Sequence, residues 1–183
     1  MGIKKTSIRS ICFLREFFRH PKEVGTFTQS SRVLARRIAR EINGSTEVIE
    51  FGPGTGVVTA EILKRLPRNG QLTCVDINPS FCEHLRRLND PRLRVVHDDA
   101  RNCERHIEGP ECVVSGLPLM LFSRADKMRF LYKVSKAERF IQLQYTPLLA
   151  KRLSSYFPQV EVRFVAQNFP PAFICVCTKP ASK

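Results

Sequence analysis

The sequence has no long apolar run, no cysteine motif and no cluster of histidines. No apolar stretch in its 183 residues approaches the ~18 residues that a membrane-spanning helix needs, so we do not expect an integral membrane protein. The seven cysteines form neither a C-x-x-C pair nor a zinc-ligand spacing with histidine. We therefore predict no metal site, and we interpret the cysteines as small buried residues in a reducing compartment. Low-complexity segments are also absent, and the length suits one globular domain.

Acidic residues are scarce relative to basic ones. The chain has 30 Lys and Arg against 17 Asp and Glu, which gives a formal net charge of +13. Residues 1–40 alone contain ten Lys and Arg but only two acidic residues, Glu16 and Glu23. This excess of positive charge predicts an anionic partner, either nucleic acid or an anionic membrane surface.

The basic N-terminal segment has helical periodicity. Residues 3–19, which end before Pro21, place apolar side chains on one side of a helix and basic ones mainly on the other. The pattern fits either a helix that packs on the core or an interfacial helix that lies on anionic lipid. In the second case residues 1–27 are a membrane-docking segment that precedes the main domain at 28–183. Its membrane-contacting residues would be Ile8, Arg9, Ile11, Leu14, Arg15 and Phe18.

From residue 28 onward the chain alternates between predicted helices and strands. A second N-terminal helix ends at Asn43-Gly44, and further helices are predicted at 57–66, 79–88, 101–106, 123–135 and 147–156. Strands are predicted at 47–51, 71–76, 93–97, 112–115, 139–145, 160–167 and 172–178. Such alternation predicts a mostly parallel sheet with helices on both faces. The short connection between the last two strands predicts an antiparallel pair at one edge.

A glycine-rich turn joins the first predicted strand to its helix. The stretch V-I-E-F-G-P-G-T-G-V-V-T spans residues 48–59 and contains Gly52, Gly54 and Gly56. A strand that turns on glycines into a helix leaves backbone N–H groups unpaired and lets a ligand approach the main chain. Asp76 ends the next strand, where an acid can accept hydrogen bonds from ribose hydroxyls. Together with Glu50 in the first strand, these residues predict a site for a nucleoside cofactor.

The glycine spacing, G-x-G-x-G with no following lysine, differs from the dinucleotide and P-loop motifs. The E-F-G-P-G-T-G block instead resembles motif I of class I S-adenosylmethionine-dependent methyltransferases. This resemblance implies a Rossmann-like α/β fold with a seven-stranded, mostly parallel sheet and an antiparallel last strand, preceded here by two N-terminal helices. It implies S-adenosyl-L-methionine as cofactor, with Asp76 on the ribose and the D-D-A block at residues 98–100 near the adenine. The predicted cofactor-binding residues are Glu50, Gly52, Gly54, Thr55, Gly56, Asp76, Ile77, Asp99, Ala100 and Ser115.

The loop after the fourth strand, S-G-L-P-L-M-L-F at residues 115–122, stands where many enzymes of this class have their substrate loop. In the rRNA adenine dimethylases an Asn and an aromatic residue of this loop hold the flipped base. Gly116 and Leu119 stand at those two positions, and we expect no helical domain of the kind that follows the last strand in those enzymes. These departures count against nucleic acid as the partner. An RNA adenine N6-methyltransferase is kept as the alternative function.

Nearly the whole chain resembles the bacterial phospholipid N-methyltransferases that methylate phosphatidylethanolamine. The resemblance rests on blocks in a fixed order: F-L-R-E-F-F-R-H-P-K-E-V-G, S-S-R-V-L-A-R, the glycine turn, D-I-N-P, S-G-L-P-L and N-F-P-P-A. One departure is Ser135-Lys136-Ala137-Glu138, where family members often have Pro-Gly-Gly. The resemblance implies methylation of phosphatidylethanolamine towards phosphatidylcholine at a membrane surface. We expect a cytoplasmic monomer, bound peripherally to the inner face of the cell membrane.

The expected chemistry is attack of a lipid amine on the sulfonium methyl group, for which the protein aligns the reactants and removes water. The sequence identifies no single base for the amine proton: Asp99, Tyr145 and water all remain candidates. Aromatic faces also suit the methylated cations that form. We predict Tyr145 and Asp99 as catalytic residues. The predicted substrate-binding residues are Gly116, Leu117, Pro118, Phe27 and Tyr132.

Overall fold

The computed structural model describes residues 27–109, 112–168 and 171–179. The α-helices in these ranges are α1 (Phe27–Arg40), α2 (Val57–Leu63), α3 (Pro79–Arg86), α4 (Arg124–Val134) and α5 (Ala150–Leu153). The strands are β1 (Glu47–Phe51), β2 (Gln71–Asp76), β3 (Leu93–His97), β4 (Cys112–Ser115), β5 (Arg139–Gln144), β6 (Gln159–Val165) and β7 (Ala172–Thr178). Short 3-10 helices lie at Ala100–Arg105, Leu119–Leu121 and Pro147–Leu149. The predicted helix at 3–19 and its membrane-contacting residues lie outside the described residues.

The strands form one sheet in the order β3-β2-β1-β4-β5-β7-β6. Strands β1 to β5 are parallel, and β7 runs antiparallel to both β5 and β6. The chain runs outward from β1 to β3 and then returns to β4 on the other side of β1. This reversal makes a crevice between the carboxyl ends of β1 and β4, which is where ligands bind in open α/β sheets. The predicted fold class is confirmed.

Apolar side chains cover both faces of the sheet. On one face α1 packs against α2, and Leu34 and Ile38 join strand residues such as Val48 in a buried cluster. Because the buried residues of α1 recur three and four positions apart, most of its arginines remain exposed. On the other face a chain of aromatic contacts, with ring centroids 5.3 to 6.3 Å apart, joins Phe51, Phe130, Phe140 and Phe157.

Two predicted helices differ most from the structure. The helix predicted at 57–66 ends at Leu63, and the one predicted at 147–156 divides into the 3-10 turn Pro147–Leu149 and α5. Thr146 gives this segment no side-chain cap, and the serines that follow α5 are weak helix formers. The resulting compact turn keeps residues 149 and 152 close to the end of β5, where they help to form a cavity.

The described residues also bear on three of the composition-based predictions. None of the helices in these ranges is both long and apolar enough to cross a membrane. The six cysteines in the described part of the chain are buried free thiols, as predicted. Among the same residues, no group of three or more His, Cys, Asp and Glu side chains is arranged to hold a metal ion.

Candidate active site

Three glycines shape the turn between β1 and α2. Gly52, Gly54 and Gly56 have left-handed backbone conformations, with φ angles of 70°, 56° and 79°, which favour glycine because it has no Cβ atom. A Cβ atom on Gly52 would lie 2.6 Å from Leu117 Cδ2, and one on Gly56 would lie 2.6 Å from Leu85 Cδ2. A Cβ atom on Gly54 would meet nothing within 4 Å. Gly52 and Gly56 therefore permit close packing, whereas Gly54 faces open space in which a ligand can approach the main chain.

The carboxylate of Asp76 ties this turn to the end of β2. Its Oδ2 accepts a hydrogen bond from the Gly54 N–H at 3.1 Å, and its Oδ1 accepts one from the Asn78 N–H at 2.8 Å. Asp76 is 8% exposed, and each carboxylate oxygen retains further capacity to accept a hydrogen bond. This remaining capacity suits the two hydroxyls of a ribose, so the predicted role of Asp76 fits its position.

Two further predicted cofactor-binding residues, Ile77 and Asp99, follow the ends of β2 and β3. Ile77 directly follows Asp76 and is 62% exposed, so it offers an apolar surface beside the predicted ribose site. Asp99 caps the 3-10 helix that begins at Ala100: its Oδ1 accepts from the Arg101 N–H at 2.8 Å, and its Oδ2 pairs with the Arg101 guanidinium at 2.5 Å. Arg101 holds the pKa of Asp99 below its usual range. Asp99 is therefore an ionised carboxylate on the cofactor side of the sheet.

Glu50 lies beneath the glycine turn. It is 2% exposed, and its Oε2 accepts hydrogen bonds from Thr59 Oγ1 at 2.7 Å and from Cys74 Sγ at 3.4 Å. Burial raises the pKa of Glu50 from 4.5 to about 7, although both hydrogen bonds oppose the rise. The residue thus joins β1, α2 and β2 and supports the turn from below. Its direct contact with a cofactor stays a prediction.

Three further predicted cofactor-binding residues surround the crevice. Thr55 is exposed at the tip of the glycine turn, and Ala100 is buried at the start of its 3-10 helix. Ser115 ends β4 and is fully buried, and its Oγ accepts a hydrogen bond from the Leu117 N–H at 3.3 Å. Ser115 therefore fixes the start of the loop that follows β4.

This loop passes directly against the glycine turn. The Gly116 N–H donates to the Phe51 carbonyl oxygen at 3.0 Å, and a Cβ atom on Gly116 would lie 3.0 Å from the Gly52 carbonyl oxygen. An Asn side chain at residue 116 would therefore require the main chain to shift. Gly116, Leu117 and Pro118, all predicted to bind substrate, line a cavity of about 250 Å³ at the carboxyl ends of β4 and β5. Further apolar side chains in the lining come from Leu119, Met120, Leu143 and Leu149.

Five polar residues of this cavity escaped the sequence-based prediction: Lys127, Gln142, Gln144, Thr146 and Arg152. The Nε2 of Gln142 donates to the carbonyl oxygens of Leu117 at 3.0 Å and Leu143 at 2.7 Å, which fixes the orientation of its amide. Its buried Oε1 has no hydrogen-bond partner among the described residues, and neither has Gln144 Nε2. Two glutamines within the apolar strand F-I-Q-L-Q were a usable signal, since buried polar groups normally have partners. Nothing in the sequence distinguishes Lys127 and Arg152 from the other Lys and Arg residues, of which the chain has 30 in total.

The two predicted catalytic residues are not brought together. Tyr145 lines the cavity, and burial raises the pKa of its hydroxyl to about 12, so the phenol remains protonated at neutral pH. Asp99 follows β3, which is four strand positions from β5. At about 4.8 Å per strand, β3 and β5 are ~19 Å apart along the sheet. Asp99 is not part of the cavity lining, so its role as a base for an amine in the cavity stays a prediction.

Of the two other predicted substrate residues, one lies outside the cavity lining and one is not described. Tyr132 is 59% exposed on α4, is not part of the cavity lining, and has the Lys136 ammonium 4.6 Å from the centre of its ring. A substrate contact by Tyr132 is therefore not supported. Phe27 begins α1, and its side chain lies outside the described part of the structure.

Comparison with known proteins identifies the class. Residues 48–139 match the family model of the methyltransferase domain, which contains the glycine turn, Asp76 and Asp99. Solved structures with the same fold include the 1,6-didemethyltoxoflavin-N1-methyltransferase of Burkholderia thailandensis, with bound S-adenosylhomocysteine. It has a TM-score of 0.69 at 15% identity and covers 98% of this chain and 91% of its own. The chain belongs to the class I S-adenosylmethionine-dependent methyltransferases, and S-adenosylmethionine is its cofactor.

Two kinds of relative bear on the substrate. The chain is 31% identical over 180 residues to the ornithine lipid N-methyltransferase of Singulisphaera acidiphila, which spans 90% of this chain and 93% of that protein. It is 29% identical over 140 residues to the ribosomal RNA small subunit methyltransferase A of Treponema pallidum, spanning 69% of this chain but 48% of that protein. The crystal structure of the 23S rRNA methyltransferase ErmE has a TM-score of 0.63 at 22% identity, covering 82% of this chain and 69% of that one.

Proposed function

We propose that the protein transfers a methyl group from S-adenosylmethionine to the amine of a membrane lipid headgroup. The observation that carries the proposal is the mostly apolar cavity beside the glycine turn, where Gly116 and Leu119 replace the amide and the aromatic residue that would hold a nucleic acid base. The match over nearly the full length of a lipid N-methyltransferase supports the same conclusion. Phosphatidylethanolamine is the substrate that we propose first, and ornithine lipid is the alternative within this class.

The chemistry follows from the cofactor and the cavity. When bound, S-adenosylmethionine supplies a sulfonium methyl group, which is already activated towards an amine nucleophile. The apolar lining excludes water, and the Oε1 of Gln142 can accept a hydrogen bond from an amine N–H and so orient the nitrogen. Tyr145, as a neutral phenol, is a hydrogen-bonding partner and not a strong base. The amine proton would therefore leave to water before or during transfer.

We also propose where the enzyme works. The chain carries a net charge of +13, with a marked excess in residues 1–40, and basic side chains contribute about 1 kcal/mol each near an anionic leaflet. A cytoplasmic monomer that docks peripherally on the inner face of the cell membrane through residues 3–19 accounts for this charge. A variant lacking residues 1–20 should lose binding to anionic vesicles in a sedimentation assay. Full binding by the truncated protein would contradict this part of the proposal.

A second candidate, RNA adenine N6-methylation, is favoured by the same charge and by the ribosomal RNA methyltransferase relatives. Because both partners are polyanions, sensitivity to salt does not distinguish them. The deciding experiment offers radiolabelled S-adenosylmethionine with phosphatidylethanolamine vesicles, ornithine lipid vesicles and total RNA in parallel. Label in a lipid supports the proposal and identifies the headgroup. Label in RNA alone would overturn it.

A further inference from the structure

Lys127 and Arg152 place two positive charges on the lining of the otherwise mostly apolar cavity. Lys127 belongs to the first half of α4 and is half-buried, whereas Arg152 belongs to α5 and is exposed. Neither has a carboxylate partner among the described residues, whereas Arg129 on α4 pairs with Asp126. Two positive charges therefore line one cavity without a carboxylate to balance them.

The charges of these two residues affect each other. Partial burial lowers the pKa of Lys127, and the positive charge of Arg152 lowers it further. An anion between the two side chains would relieve this repulsion, and in a partly buried setting it would gain charge-assisted hydrogen bonds. The side chains belong to helices separated by β5, so their convergence depends on the fold and not on a local charge run.

The same cavity also contains an unpartnered acceptor. Gln142 is fully buried, and its amide nitrogen faces two carbonyl oxygens, so its Oε1 cannot exchange places with the nitrogen. This oxygen is suited to an N–H donor such as an amine. An acceptor and two cations in one cavity together complement a group that carries an amine and an anion.

We propose that Lys127 and Arg152 bind the anionic group that neighbours the reactive amine in a zwitterionic lipid headgroup. The anion would be the phosphodiester of phosphatidylethanolamine or the carboxylate of an ornithine lipid; both are acceptors for ammonium and guanidinium groups. Binding the anion fixes the amine near Gln142 and the glycine turn, while the lipid chains extend from the cavity. This inference rests on the proposed lipid methylation.

The test measures methyl transfer in mixed micelles of a non-ionic detergent, so that the surface itself has no charge. Lys127→Met and Arg152→Gln are compared with the matched controls Lys133→Met, also half-buried on α4, and Lys151→Gln, the exposed neighbour of Arg152. We expect the KM for the zwitterionic lipid to rise about 10- to 100-fold in the first pair. The controls and the affinity of all variants for S-adenosylmethionine should stay within about twofold. Arg152→Lys should restore part of the loss.

The choice of lipid identifies the anion. Phosphatidylethanolamine, an ornithine lipid and a long-chain primary amine without an anion are offered separately. Sensitivity of either zwitterionic lipid to the two substitutions, with the simple amine unaffected, supports the inference and assigns the anion. Equal loss on the simple amine, or KM values no different from those of the controls, would overturn it while leaving lipid methylation intact. Transfer to none of the three lipids by the unmodified protein would instead refute the proposed function, and this inference with it.

Discussion

The two ends of the crevice are built in different ways. The cofactor side consists of the glycine turn and the residues that follow β2 and β3, and its contacts involve backbone N–H groups and carboxylates. The cavity side consists of the loop 116–120 together with residues from α4, the end of β5 and α5, and it is mostly apolar with two cations. The cofactor side is thus organised by main-chain geometry, and the cavity side by side chains brought together from distant segments.

Because of this difference, we expect the cofactor side to determine binding of S-adenosylmethionine and the cavity side to determine which substrate is accepted. A main-chain cradle depends on glycine positions and tolerates little change, because two of its glycines have no space for a side chain. A cavity made of side chains can change its specificity through single substitutions without altering the sheet beneath it. We therefore expect substitutions on the cofactor side to abolish activity on every substrate, and substitutions on the cavity side to change which lipid is used.

The largest effect is expected from Gly54→Arg. The arginine side chain would occupy the open space above Gly54, so affinity for S-adenosylmethionine should fall at least about 1000-fold, or ~4 kcal/mol. Titration calorimetry would measure it. Gly44→Arg is the matched control, because Gly44 also has a positive φ, of 82°, and open space around it, but lies in the turn before β1. It should lose about 1 kcal/mol of stability through backbone strain and no cofactor affinity. Equal loss of cofactor affinity in both variants would contradict the claim that Gly54 faces the bound cofactor.

A pH effect on stability is expected from Glu50 on the cofactor side. The pKa of Glu50 is about 7 in the folded chain against 4.5 as its ordinary value, so the folded state keeps a proton that the unfolded state releases. Stability should therefore fall as pH rises from about 4.5 to above 7, by up to about 3 kcal/mol from this residue. Urea unfolding at pH 5, 6, 7 and 8 would show the slope, which should be smaller in Glu50→Gln. An identical slope in the two proteins would show that Glu50 is ionised when folded.

Asp76→Ala should have the next largest effect. It removes the acceptor for the Gly54 and Asn78 N–H groups and the predicted acceptor for ribose hydroxyls. We expect the Kd for S-adenosylmethionine to rise about 10- to 100-fold, with lipid binding unchanged. Asp90→Ala serves as control, since Asp90 pairs with Arg92 before β3, at the amino ends of the parallel strands and not at their carboxyl ends. If Asp76→Ala left the affinity for the cofactor unchanged, Asp76 would not be a cofactor-binding residue.

The smallest effect tests the cavity side. Met120 lines the cavity, whereas its neighbour Leu121 in the same 3-10 turn is exposed and is not part of the lining. Met120→Gln should raise the KM for lipid about fivefold, roughly 1 kcal/mol, because it introduces a polar group into an apolar lining. Leu121→Gln should leave the KM unchanged, and cofactor affinity should be unaffected in both. If the two variants behaved alike, the cavity would not be where the lipid binds.

The same contrast explains how much could be predicted from the sequence. The alternation of strands and helices, the glycine turn and Asp76 are all local patterns, and the structure places each of them as expected. The order of strands follows from the general reversal at β1 in doubly wound sheets. Residue spacing cannot distinguish a carboxyl group that faces a ligand from one enclosed beneath the turn, so the cofactor contact of the buried Glu50 stays a prediction.

The cavity side was mostly out of reach of sequence reasoning. Gly116, Leu117 and Pro118 were found because they are contiguous, but Lys127 and Arg152 converge only through the packing of α4 and α5. Tyr132 was chosen for being aromatic, although its ring lies on the outer side of α4. Asp99 and Tyr145 both end strands at the same edge, and only the strand order separates them. Sequence periodicity places residues within an element, whereas catalysis depends on distances between elements.

Labelling of the buried cysteines can report which part of the fold opens first. Burial raises the pKa of Cys103 and Cys175 to about 11, so almost no thiolate is present at neutral pH, and neither thiol is exposed to reagents. Alkylation of these thiols therefore requires the fold to open. Cys74 lies in the cluster on the α1 face of the sheet, and Cys175 in the cluster on the α4 face. In a chain with Cys12 replaced by Ser, the order in which these two thiols are labelled would show which layer of helices separates from the sheet first.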